Sequence, residues 1–224
     1  MPPSLAERLT QIRELIQNDI DDAEKVIGYS RRRIVNGETI PNSEKIMSLS
    51  DGSAAFIVKG DRETVLGYRP QVGRSGNGFV TALYVPEGNA ADSPQLVPLV
   101  EEAISNTGVV PCIVSVDDGY SSSHGIGSVR MIPGVDVVSA SGSKGKKLIS
   151  AEDWNSEPYR EARRNRSSVE SLMFTLKYVY GFGCLRRRGI DAVRIELLEK
   201  AIVHNLSRLV ALKKRRQRNP ELAA

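Results

Sequence analysis

Apolar residues near the start of the chain recur every three or four positions. Leu5, Leu9, Ile12, Ile16, Ile20, Ala23 and Ile27 fall on one stripe, the spacing of an amphipathic helix. Ser4 with Glu7 supplies a capping box in front of it, so the pattern predicts a helix over 4–34. The stretch "NGETIPNSE", 36–44, ends that helix with Asn-Gly and Pro. From 45 onward the period becomes that of strands. "KIMSLSD" predicts a short strand ending on Asp51, and "FIVKG" is another apolar run, with a turn at Gly60. "TVLGYRPQVGRSGNGFVTALYVPEG" reads as two strands joined at "RSGNG". Residues 45–88 are therefore expected to form three adjacent antiparallel strands.

The second half alternates strands with helices. "SPQLVPLVEEAISNTG", 93–108, has helical spacing and closes on Gly108. "VVPCIVSV", 109–116, is a continuous apolar run, the signature of a central buried strand. "SSSHGIGSVRMIPG" reads as loop with a short helix, "VDVVSASG" (135–142) as a strand, and "GSKGKK" as a basic glycine-rich loop. Helices are expected over 157–180 and 189–216. A meander followed by strand–helix alternation predicts an α/β fold, a mixed sheet with helices on its faces and a long N-terminal helix.

Composition narrows the classes. Of 224 residues, 40% are hydrophobic and 5% aromatic, which suits an ordinary soluble core. No apolar run approaches the ~20 residues of a membrane span, and the N-terminus has no signal-peptide pattern. Two cysteines, Cys112 and Cys184, lie far apart; they read as reduced core thiols of a cytosolic protein, and a zinc site is not expected from so few Cys and His. Charge is asymmetric: residues 1–110 carry 11 Lys and Arg against 15 Asp and Glu, and residues 111–224 carry 20 against 12. A basic second half suits a polyanion partner or a set of solvated helix faces.

Three acids fall at special places. Asp51 is expected at the end of the first strand, Asp117 at the end of the apolar strand in "SVDDGYSS", and Glu170 within the helix of "RRNRSSVESLMFTLK". Each alone reads first as a strand-end turn or a solvated helix position. Brought together, three like charges repel and need cations. Oxygen-only ligands suit Mg²⁺ or Mn²⁺, and a pair of such ions can act on a phosphodiester.

The blocks "SLSDGSAAFIVKG", "LGYRPQV", "GFVTALYVPEGNAAD", "SVDDGYSS" and "RNRSSVESLMFTLK", in this order, resemble the DDE transposases of bacterial insertion sequences over roughly residues 25–210. The resemblance implies a ribonuclease H-like fold, with 1–44 a helical segment and linker and 45–224 the catalytic domain. It implies two divalent metals, Mg²⁺ or Mn²⁺, held by Asp51, Asp117 and Glu170, and cutting and rejoining of DNA at the element's ends. Asp117 takes the second acid's place because it stands three residues before Tyr120; Asp118 then falls at a variable position, its side chain expected to point elsewhere. Arg166 and Lys177 match the basic residues that flank the glutamate. With Glu170 they share one helix face, suited to gripping phosphates. The resemblance further implies DNA as partner, a homo-oligomer when active, and a cytoplasmic, nucleoid-associated protein. Other ribonuclease H-like nucleases, and an inactive relic that still binds DNA, are the alternative readings. The chain departs from the family pattern at Arg163, where a tyrosine is usual, and at Ser53, where many relatives carry a second acid. It also starts at a helix where relatives have a DNA-binding domain, and a truncated copy or a fragmentary reading frame are the two expectations.

Other residues read more plainly. Arg163, Arg164, Lys144 and Lys146, in "RRNR" and "SGSKGKK", are DNA-contact candidates because both stretches flank the acids. The basic runs 31–33, 186–188 and 213–218 are equally solvated faces or phosphate contacts. Asp92 is expected to cap the following helix, His124 to lie in a loop, and His204, Trp154 and Tyr159 to pack. "GIGSVR", 125–130, lacks the third glycine and the strand–turn–helix context of a dinucleotide site.

Overall fold

A computed structural model describes residues 4–41, 44–58 and 64–218. The turn expected at Gly60 lies outside them. The chain divides into two units, Met1–Gly67 and Tyr68–Ala224.

In the first unit, α1 (Leu5–Val35) runs for 31 residues, roughly 46 Å at 1.5 Å per residue. Its start is the capping box read from sequence: Ser4 Oγ accepts from Glu7 N, and Glu7 reaches back to Ser4 N at 2.6 Å. At the far end Arg32 pairs with Glu38 and Glu44, both at 2.8 Å, and the Tyr29 hydroxyl donates to Ile46 O at 3.2 Å. No residue of α1 is buried. The expected strand over 45–51 does not form. Asp51 instead opens a turn, with Ala54 N donating to Asp51 O, and the strand comes after it: β1 (Ala55–Ile57) pairs antiparallel with β2 (Val65–Gly67). The "DGS" stretch turns where period-2 reading alone continued a strand.

The second unit begins with the hairpin β3 (Gln71–Arg74) and β4 (Val80–Tyr84), whose register has an irregularity at Gly73/Arg74. Gly78, at φ +86°, sits in its turn, and Ser75 and Phe79 close it. α2 (Leu96–Thr107) follows and ends on Gly108 in the left-handed conformation, φ +67°, the C-cap that glycine favours. Then come β5 (Ile113–Val116), α3 (Ser123–Arg130), β6 (Val137–Ala140), α4 (Gly142–Leu148), α5 (Ala151–Asn155), α6 (Glu157–Asn165), α7 (Ser167–Tyr178) and α8 (Ile190–Arg218). β5 and β6 are parallel, in the register Val116↔Ala140. Among the described residues the strands form three separate two-stranded sheets. The single three-strand meander expected over 45–88 is two hairpins, because "YRP" breaks the run between β2 and β3. The buried central strand shrinks to four residues with Ile113 exposed. "GSKGKK" is the start of α4, a helix and not a loop.

Two apolar clusters hold this unit. One gathers Leu96, Val100, Val116, Ile126, Val129, Val138, Ala140 and Tyr159, from α2, β5, α3, β6 and α6. The other joins Val80, Leu83 and Val85 to Leu172 and Leu176 of α7 and Val193, Leu197 and Ala201 of α8. Burial of such residues supplies about 1.5–3 kcal/mol each before the entropy cost. Polar anchors set the geometry. The Tyr159 hydroxyl donates to Ala140 O and accepts from Ala140 N. On α8, Asn205 bonds both the N–H and the carbonyl of Val80, His204 Nε2 lies 3.0 Å from Gly78 O, and Arg208 Nε donates to Asn77 O. The β3–β4 turn is thus gripped by α8, and His204 is buried as expected. Cys112 and Cys184 are free but exposed, not core thiols, because each lies beside a turn and not on a buried face.

Candidate functional site

β5 and β6 run in the same direction, so their C-terminal ends open side by side. Loops beyond the carboxyl ends of parallel strands are where such sheets place ligands. Val116 is the last residue of β5, and Asp117 leaves the sheet in extended conformation (φ −78°, ψ 162°). Its Oδ1 accepts from Asp118 N at 2.8 Å and caps the one-turn helix 118–120. Ser141, just past β6, donates its backbone N–H to Val116 O, and its hydroxyl lies 3.5 Å from Asp117 Oδ1.

Asp118 turns the other way. One oxygen, Oδ1, accepts from Lys144 N and Gly145 N, both at 3.0 Å. Two of the free N–H groups at the start of α4 are satisfied there. Gly142 makes this approach possible: at φ +86°, a Cβ there would meet Asp118 Cγ at 2.4 Å. The adjacent aspartates therefore divide the work, Asp117 outward to solvent and Asp118 inward as a clamp between β5 and α4.

A second polar network supports the same turn from the other side. Asp92 does not cap the following helix, as the sequence suggested; no side-chain cap bond is made there. It pairs with Arg69 at 2.6 Å and accepts from Gln71 Nε2 at 3.4 Å. Gln71 Oε1 in turn accepts from the Tyr120 hydroxyl. Asp92 Oδ2 also presses on Gly119, where a Cβ would stand 2.7 Å away. Burial, then the nearby charges of Asp92, Tyr84 and Asp117 that outweigh Arg69, raise the Tyr120 phenol well above its ordinary value, so it stays a proton donor. Burial and Glu102 push Tyr84 up to about 12. Sequence reasoning missed Arg69 and Gln71; the sequence shows only two polar residues beside a strand, and that Gln71 is buried, 1% exposed, is decided by the fold.

Glu170 arrives from the first turn of α7, where a carboxylate also complements the helix dipole. Arg166 lies at the junction of α6 and α7, four residues earlier. Its Nη2 is 3.1 Å from Glu170 Oε1 and its Nη1 is 3.3 Å from Asp117 Oδ1. One guanidinium thus bridges two carboxylates that come from a strand end and a helix 53 positions apart in the chain. Both acids are largely exposed, 67% for Asp117 and 66% for Glu170, while Arg166 between them is 30% exposed.

The remaining residues separate. Lys177, in the last turn of α7, packs its stem beside Gly183 and its ammonium 5.5 Å from the Tyr178 ring. Seven residues put it about 10 Å along the axis from Glu170. Arg163 is spent within the fold: its guanidinium stacks 4.1 Å over Trp154 and donates to Trp154 O. Arg164 pairs with Glu157 at 3.0 Å on the surface. Lys144 and Lys146 are exposed on α4. His124 lies exposed on α3, not in a loop, and Trp154 packs against Tyr159. Asp51 belongs to the first unit, half-buried, its N–H accepted by Ser48 Oγ at 3.2 Å.

Of the three acids, the structure brings Asp117 and Glu170 together. Among the described residues, no three His, Cys, Asp or Glu side chains form a group able to hold a metal ion. The donor set of the converging pair nevertheless fits a hard divalent cation: both groups offer only oxygen, both face solvent, and both already share one positive charge. No helix among the described residues is long and apolar enough to cross a membrane.

Among known families, a family model described as transposase DDE domain matches residues 50–206. No curated protein and no solved structure matches the chain.

Proposed function

This chain belongs to the transposase DDE domain family, and on that premise we propose that it carries a ribonuclease H-like catalytic domain over 45–224 that cleaves transposon-end DNA and transfers the strand. The observation that carries this reading is the meeting of Asp117 and Glu170 on Arg166 beyond the ends of two parallel strands. Both acids occupy the family motif's acid places, and the fold delivers them from elements far apart in sequence.

In the proposed mechanism, Asp117 and Glu170 would present carboxylate oxygens to Mg²⁺ or Mn²⁺, and the family resemblance assigns Asp51 the third acid's role. When bound, such ions supply Lewis-acid activation of the attacking hydroxyl and stabilisation of the leaving oxygen. The protein's own part is positioning. Asp118 and the Tyr120–Gln71–Asp92–Arg69 network fix the turn that aims Asp117. Lys144 and Lys146 on α4, and Arg166, Arg164 and Lys177 along α6 and α7, offer cations to the phosphates flanking the scissile bond. Arg163 is withdrawn from that set by its stack on Trp154 and acts through α5 and α6. The working form is a homo-oligomer on DNA in the cytoplasm, close to the nucleoid.

Glu170→Gln tests the reading, since it keeps size and hydrogen bonding but removes the charge. Mn²⁺- or Mg²⁺-dependent nicking of supercoiled DNA should fall at least a hundredfold while the circular dichroism spectrum and melting temperature stay close to wild type. Persistent nicking by a folded Glu170→Gln protein would sink the assignment. Joining of a free 3′-hydroxyl end to a target, as against simple hydrolysis, separates a transposase from a general nuclease.

A further inference from the structure

We propose that Arg166 is a built-in stand-in for the metal: in the metal-free protein its guanidinium holds Asp117 and Glu170 together, and it must withdraw from them when a divalent cation enters. The inference rests on the reading that these two acids are metal ligands.

The geometry leads to it. A planar guanidinium presents several N–H donors in a fixed fork. Here one arm goes to Asp117 Oδ1 and another to Glu170 Oε1, at 3.3 Å and 3.1 Å. A residue that served only to grip DNA would turn its fork outward to solvent. Arg166 is instead the least exposed of the three groups. Two carboxylates drawn to one guanidinium repel each other, and without a metal the Arg166 charge offsets that repulsion. Asp117 has no other cation paired with it among the described residues, and Glu170 likewise pairs with Arg166.

The arrangement is also exclusive. The oxygens that Arg166 engages are those a divalent ion would seek, and a guanidinium has no lone pair to offer a metal. Metal and arginine therefore compete for the same oxygens. The long side chain can leave by rotation of its own bonds while the backbone at the α6–α7 junction stays in place. Once released, its charge is free for an incoming phosphate. Metal loading and DNA gripping are in this way coupled through one side chain.

Competition has a sign that can be measured without any catalysis. Arg166→Gln removes the competitor, so the full chain should bind Mn²⁺, followed by electron paramagnetic resonance, roughly three- to tenfold more tightly, the range expected when partly exposed ion pairs no longer have to be broken. The same variant should melt at a lower temperature than wild type without metal. Saturating Mn²⁺ should close that gap, because the ion then takes over the arginine's work. The two readouts together separate a stand-in from a distant positive charge, which would alter affinity without lowering the metal-free melting temperature. Unchanged or weaker Mn²⁺ binding by Arg166→Gln would overturn the proposal, and so would a melting gap that Mn²⁺ leaves open. The double variant Asp117→Asn, Glu170→Gln reports on the underlying reading. If it binds Mn²⁺ as wild type does, the ions sit elsewhere and the assignment of the acids fails with it.

Discussion

Asp117 and Asp118 are chemically identical neighbours, and the fold gives them opposite tasks. Alternation along the extended chain sends one carboxylate to solvent and the other to the first turn of α4. That division was legible in outline: motif spacing picked Asp117, and adjacency implied that Asp118 pointed elsewhere. Where it points was not legible, because Lys144 and Gly145 meet it only through the β5–β6 pairing. Asp118→Asn keeps an amide oxygen as acceptor and should stay within about 1 kcal/mol of wild-type stability in urea unfolding, with nicking retained. Asp118→Ala removes the acceptor for two N–H groups and should cost about 1–2 kcal/mol, a typical cap loss. Asp117→Asn should show the reverse profile, with stability kept and nicking lost. Asp92 makes the same point. Its place before a helix suggested a cap, yet a strong partner, Arg69, was closer at hand in space.

At the scale of elements, α8 shows how one helix organises its surroundings. Its N-terminal part holds the arginine-rich stretch before it: Glu196, 5% exposed, accepts from the backbone N–H groups of Arg186 and Arg187 and pairs with Lys200 at 2.6 Å. Burial pushes the Glu196 carboxyl up, but the Lys200 bond and then the Arg187 and Arg186 N–H groups outweigh it, and the result is a fall from 4.5 to about 2. A carboxyl lower in the folded than the unfolded state stabilises fully above its unfolded value and loses that contribution as pH falls through the folded one. The stabilisation from Glu196 is therefore complete above about pH 4.5 and is lost toward pH 2. Glu196→Gln should lower the urea midpoint at neutral pH, and the deficit should shrink steadily between these two values. The helical period of 189–216 was clear in sequence, since aliphatic spacing is a local property. Which of its polar residues would be buried was not, since Glu196 and Glu199 look alike until the preceding loop folds over one of them. The strands were less legible than the helices. Four-residue strands carry too few alternations to separate a strand from a turn, which is why 45–51 misled and the meander split into two hairpins.

For the molecule as a whole, the two units differ in how they are held. The second has two buried clusters spanning helices and strands. In the first, α1 keeps its apolar stripe exposed, Leu5 at 74% and Ile27 at 60%, so its helix rests mainly on capping and local pairs. Such helices open readily. Amide hydrogen exchange should accordingly be much faster over 5–35 than over the Val193–Ala201 stretch of α8. Equal protection in the two would mean that something covers the α1 stripe in solution. Sequence alone determined what depends on neighbours along the chain: the long capped helix, the glycine that ends α2, the periodic face of α8, and the motif spacing that singled out Asp117, Glu170, Arg166 and Lys177. The helices and the cap follow from hydrogen-bond geometry within a few residues, and the spacing carries meaning through its resemblance to the family. Only the tertiary structure decided that Arg166 bridges Asp117 and Glu170, that Arg163 is committed to Trp154, and that Asp118 clamps α4. Each of these depends on the angles at which neighbouring elements meet, β5 with α4 and α7 for the two aspartates and α5 with α6 for Arg163, and packing of the apolar clusters sets those angles.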